Sequence, residues 1–91
     1  MEPTLETFTA QALDEGFDEI LVREWVPGLE LDTHTHAFAV SARVVRGEFW
    51  LMVDGSTRHI PAGQGFRLAR DVPHAERYGP QGATVWVARA N

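Results

Sequence analysis

Residues 28–47 read GLELDTHTHAFAVSARVVRG. Apolar and acidic side chains alternate from Leu29 to Asp32, and Phe38, Val40, Ala42 and Val44 then share one parity. In an extended chain, residues two apart point to the same face, so this segment predicts strands with an apolar interior side. His34 and His36 are also two apart. Two imidazoles on one face can grip a single metal ion, and neutral imidazole suits zinc, iron, copper, nickel and, less strongly, manganese. By itself the pair fits equally well two surface histidines on an edge strand.

The flanking sequence extends the strand pattern. Toward the N-terminus, residues 9–15 predict a short helix capped by Thr7 or Thr9 and stopped by Gly16, with Leu13 and Phe17 turned to the core. Residues 20–25 form a strand candidate ended by the turn pair Pro27-Gly28. Residues 39–45 and 48–53 are two apolar runs separated at Gly47, and Asp54-Gly55 is a hairpin turn leading into residues 56–60. Pro61-Ala62-Gly63 turns again, residues 65–68 and 74–78 are short strands, 79–82 (GPQG) is a turn, and 84–89 is a last strand. About eight short strands with turns every 8–12 residues predict an all-β sandwich or barrel. At 91 residues there is room for one domain, with an N-terminal helical segment over 1–18 and a barrel over 19–91.

Composition narrows the partners. No apolar run approaches the roughly 18–20 residues of a membrane helix, and the acidic start of the chain is unlike a secretory signal. A cytoplasmic protein with no membrane partner is the expectation. Without cysteine there is no disulfide framework and no thiolate metal site. A net charge of −5 leaves no basic footprint for nucleic acid. Residues 1–32 hold nine acids and one base, while the remainder holds four acids and seven arginines. That asymmetry reads as an acidic segment packed over a mildly basic barrel. The alternative is an Arg-lined pocket for an anionic ligand, which Arg43 and Arg67 are placed to reach. Neither Ser41 nor Ser56 sits in a nucleophile elbow, and a chain without lysine has no phosphate-binding Gly-Lys loop.

Spacing over a longer range carries a resemblance. Gly28, His34, His36, Val40 and Gly47 follow the spacing G-x5-H-x-H-x3-E-x6-G, and Gly63 and His74 follow G-x5-P-x-G-x2-H. These patterns resemble the two motifs of the cupin superfamily, over about half of the chain. Val40 stands where the family has a Glu ligand, Ala69 replaces the Pro, and Asp71 replaces the Gly. A rival register starting at Gly55 puts Phe66 in place of the second-motif histidine.

The resemblance implies a cupin-like jelly-roll β-barrel with one divalent transition metal (Zn, Fe, Mn or Ni) held near one mouth by His34, His36 and His74. It further implies either a metal-dependent enzyme of the oxygenase or isomerase type acting on a small oxygenated molecule, or a non-catalytic small-molecule-binding or sensing barrel with a structural or absent metal. Dimerisation is common in the family, and a homodimer is expected.

Residue parity adds further candidates. Glu76 lies two residues beyond His74, on the same strand face, and is a candidate fourth ligand, partner of a ligand histidine, or catalytic acid/base. Its bland alternative is a rim residue paired with Arg77 or Arg67. Phe38, Val40 and Tyr78 are the expected substrate-pocket residues. His59 is expected on the surface of a hairpin, and Trp25, Trp50 and Trp86 in the core or on a dimer face.

Overall fold

A computed structural model describes residues 4–91. The first three residues of the acidic N-terminal segment, Glu2 among them, lie outside the described residues. The order is one helix, α1 (Leu5–Asp14), then six strands: β1 (Glu19–Trp25), β2 (Glu30–His34), β3 (Ala39–Val53), β4 (Ser56–Pro61), β5 (Gly65–Leu68) and β6 (His74–Ala90). All pairings are antiparallel.

The barrel comes from two long strands that each serve both of its walls. The first half of β3 pairs with β5 and with the end of β6, which in turn pairs with β1. The second half of β3 pairs with β4 and with the start of β6, which pairs with β2. Six strands thus replace the eight expected, because Gly47 and residues 79–82 bend their strands instead of ending them. Between the pairs Gly47↔Ala83 and Phe49↔Tyr78, β3 advances two residues while β6 advances five. The extra β6 residues form a bulge at this corner, and a bulge bends a strand without breaking the ladder on either side.

Glycine is required at the corner. Gly47 and Gly82 both have left-handed backbones (φ 75° and 70°), and a Cβ on Gly47 would collide with the Gly82 carbonyl, one on Gly82 with the Trp25 carbonyl. The expected hairpin is present as the two-residue turn Asp54-Gly55, both at positive φ, closed by Val53↔Ser56.

Val40, Ala42, Val44, Phe49, Leu51, Ile60, Tyr78, Ala83 and Val85 form the buried core. Val40, Ala42 and Val44 face inward as their parity predicts.

Helix α1 starts earlier than expected. Thr4 is its N-cap, and Thr7 at the third position closes a reciprocal capping box. The Gly16 stop holds, with φ 98°. Leu13 does not reach the core and is 53% exposed. The buried side carries Ala12 and, four residues earlier, Phe8, whose ring lies 5.8 Å from Trp86. Moving the cap forward lengthens the helix by one turn, which makes Phe8 and Ala12 a same-face pair. Acidic residues of the N-terminal third do meet basic residues of the barrel: Glu15 bonds Arg67 at 2.7 Å, and Glu24 lies 3.6 Å from Arg46.

Candidate metal centre

Three histidines reach one place from two directions. His34 ends β2, His36 follows it in the connection to β3, and His74 opens β6 as the cross-strand partner of His34. The strand stops before His36, so that residue is held in a loop instead of the expected strand. The Asp71 N–H donates to the His36 carbonyl at 2.8 Å and ties that loop to the turn before His74. The donor nitrogens of His34, His36 and His74 lie within 4.8 Å of one another. His74 is buried, at 3% exposed, while His34 and His36 are half-buried.

Hydrogen bonds settle which nitrogens face the site. His34 Nδ1 lies 2.7 Å from the Asp32 carbonyl and His74 Nδ1 lies 2.9 Å from the Val72 carbonyl. A carbonyl only accepts, so both rings carry their proton on Nδ1 and turn Nε2 inward. Metal-ligating histidines are commonly oriented this way.

The inward Nε2 atoms meet a carboxylate. Glu76 Oε2 stands 3.3 Å from His34 Nε2 and 3.8 Å from His74 Nε2. Tyr78 donates its hydroxyl to Glu76 Oε1 at 2.7 Å. Burial first, and then the Glu76 carboxylate and its hydrogen bond, push the Tyr78 hydroxyl far above its ordinary range, so it stays protonated and remains a donor. A nitrogen lone pair and a carboxylate oxygen facing each other repel unless a proton or a metal ion lies between them, and a single metal ion would serve both contacts at once. Ligand atoms about 2.0–2.2 Å from one ion at tetrahedral or square angles stand roughly 3.0–3.5 Å apart; the His34–Glu76 contact at 3.3 Å falls in that range and the His74–Glu76 contact at 3.8 Å lies just beyond it.

His36 completes the triangle, its ring edge-on or tilted to the other two. It lies 5.0 Å from both His34 and His74 and stacks on Phe38 at 4.7 Å. Its pKa is lowered from 6.5 by desolvation first, then by the charges of His74 and His34, with Glu76 acting in the opposite direction. A depressed pKa keeps the ring neutral, the form that binds metals.

The histidines open into a cavity of about 180 Å³. Phe38, Val40 and Tyr78, the three residues expected at a substrate pocket, line it together with Trp25 and Phe66. Val40 is packed into the core, 7% exposed, and offers no oxygen; the carboxylate near the histidines comes instead from Glu76 on β6. The surface pairing of Glu76 with Arg77 or Arg67 is not seen, since Arg77 covers Trp50 and Arg67 bonds Glu15. Arg43 and Arg67 do not line this cavity. The basic residues that do are Arg23 and Arg89, neither of which sequence reading singled out as a site residue. His59 is exposed, as expected, bonded to Glu48 and stacked on Trp50.

No family model matches the chain, and no curated protein matches it. Solved structures do. A protein of unknown function from Rhizobium leguminosarum bv. viciae 3841 superposes with a TM-score of 0.72 at 23% identity, over 77% of this chain and 66% of that one. A chain from the DMSP lyases RdDddP and RnDddQII gives a TM-score of 0.71 at 22% identity, over 79% of this chain and 37% of that one. An RmlC-like cupin from Shewanella frigidimarina gives 0.66 at 27% identity, over 80% and 68%. The chain therefore spans less than two thirds of the length of the first two. The chain has the jelly-roll fold of the cupin structures it resembles.

Proposed function

We propose that this chain binds one divalent transition metal through His34, His36 and His74, with Glu76 as the fourth ligand, and acts as a metal-dependent enzyme of the oxygenase or isomerase type on a small oxygenated molecule. The observation that carries the reading is the inward aim of the His34 and His74 Nε2 atoms, both on the same carboxylate oxygen. When bound, the metal supplies Lewis acidity toward a substrate oxygen. The protein's own part is to hold and to exclude. The Asp32 and Val72 carbonyls fix two ring orientations, Tyr78 holds Glu76 through its other oxygen, and Phe38, Trp25 and Phe66 give the cavity apolar walls.

The apolar lining also favours a second reading, a barrel that binds or senses a small molecule without turning it over. The two readings share the metal site and part at turnover: the enzyme consumes a ligand that stabilises it, whereas the sensor only gains melting temperature.

Metal affinity of Glu76→Ala against the parent, measured by competition with a chromophoric chelator, tests the ligand set. The expected result is a loss of about 10- to 100-fold, with Glu76→Gln between the two. Affinity unchanged in both variants contradicts the assignment of Glu76.

A further inference from the structure

The two arginines of the cavity are poorly paired for residues placed there. Arg89 stands over the Phe38 ring at 4.4 Å, and its Nε is shut from solvent with no hydrogen-bond partner. Among the described residues it has one acidic partner, Glu19, at a long 3.4 Å. Arg23 lies over Trp25 at 4.8 Å, and among the described residues no carboxylate comes within 4.0 Å of it. A guanidinium has five donors in a planar fork, and a buried donor left without an acceptor, as the Arg89 Nε is, is costly to keep.

The charge balance of the cavity points the same way. The chain as a whole carries −5, yet the cavity lining holds two arginines against the single acid Glu76, and Glu76 already faces the histidines. The arginines occupy the wall formed by β1 and the end of β6, where Arg23 pairs with Val85 and Glu19 with Arg89. The histidines come from β2, its following loop and the start of β6. A ligand between them meets a cationic wall on one side and the histidines on the other. A cavity of about 180 Å³ is smaller than the roughly 300–1,000 Å³ of pockets for drug-sized molecules, so the ligand is small.

We infer that the molecule taken by this cavity bears a carboxylate, held by Arg89 and Arg23 while its other end faces the three histidines. Carboxylate and guanidinium match as a fork on a fork, and the apolar wall around them strengthens the pairing. This inference rests on the reading of the cavity as the substrate site, and it names the substrate class of that site.

Propionate and its uncharged isostere propionamide serve as probes. Each is titrated into the full chain, metal-free and zinc-loaded, and followed by amide chemical shifts in NMR. Parent, Arg89→Gln and Arg23→Gln are compared, with metal content and melting temperature recorded for each. The expected result is a preference of the parent for propionate over propionamide. A loss of roughly 10- to 100-fold in propionate affinity is expected in Arg89→Gln, with a smaller loss in Arg23→Gln and metal content unchanged. Because the arginines sit on different strands, a folding defect in one variant leaves the other to report. Equal binding of both probes by the parent, or propionate binding that survives in the folded variants, overturns the inference. Arginine-dependent propionate binding in a protein that takes up no metal upholds it while refuting the metal centre, so the two failures are separable.

Discussion

Asp71 has a left-handed backbone, φ 62°, three residues before His74, and its N–H holds the carbonyl of His36. The cupin motif has glycine here, and the backbone keeps the conformation that glycine serves best. Asp is among the few residues that tolerate it. Asp71→Gly is therefore expected to fold with stability within about 1 kcal/mol of the parent, while Asp71→Val, β-branched at positive φ, loses about 1–3 kcal/mol. Urea denaturation checks both, and equal midpoints for the two variants contradict the account. Parity singles out the histidine pair and, from His74, Glu76 two places beyond it, whereas His74 itself comes from the likeness to the second cupin motif; the structure brings these four side chains together. Arg23 and Arg89 are not legible in this way, because lining a cavity depends on which strands lie opposite each other. That register is set by pairings between residues some 60–70 positions apart, such as Glu19↔Arg89.

At the scale of the element, the long strands decide the geometry. Turn residues in the sequence mark places where a chain changes direction, and they do not say whether hydrogen bonding stops there. Residues 79–82 bend β6 while the ladder resumes on both sides, so two expected strands are one. The same holds for β3 at Gly47. Gly82→Ala is expected to destabilise by about 2–3 kcal/mol, from the left-handed backbone together with the collision at the Trp25 carbonyl. Denaturant unfolding reads this directly, and a variant as stable as the parent refutes the corner's role. The helix shows a different gap. Its capping box lies at Thr4 and Thr7, one turn before the start expected from the apolar pattern. The buried face then passes through Phe8 and Ala12 and leaves Leu13 in solvent.

At the scale of the whole molecule, the fold class was readable because strand periodicity, turn spacing and the two histidine motifs agree, and consistency across levels is what a specified fold requires. The merging of eight segments into six strands changed the wiring and not the class. The site also links stability to pH. His36 has its pKa depressed below 6.5 in the folded protein. Above 6.5 it is neutral in both states and costs nothing. As pH falls below 6.5, the unfolded chain gains a proton that the folded one refuses, so stability falls until the lowered folded value is passed. Metal binding adds to this in the same direction, since acid protonates its ligands. Melting temperatures are expected to drop between about pH 7 and about pH 5 in the parent, and less so in His36→Gln. An identical pH profile in the two proteins contradicts this assignment.

The central claim is that the three histidines hold a metal although Val40 stands where cupins have a Glu ligand. Elemental mass spectrometry tests it most directly, on protein purified without a histidine tag or nickel resin, beside the triple variant His34→Ala, His36→Ala, His74→Ala. The account predicts close to one transition-metal ion per chain in the parent and none in the variant. No metal in the parent, even after incubation with Fe(II), Mn(II), Ni(II) or Zn(II), contradicts it.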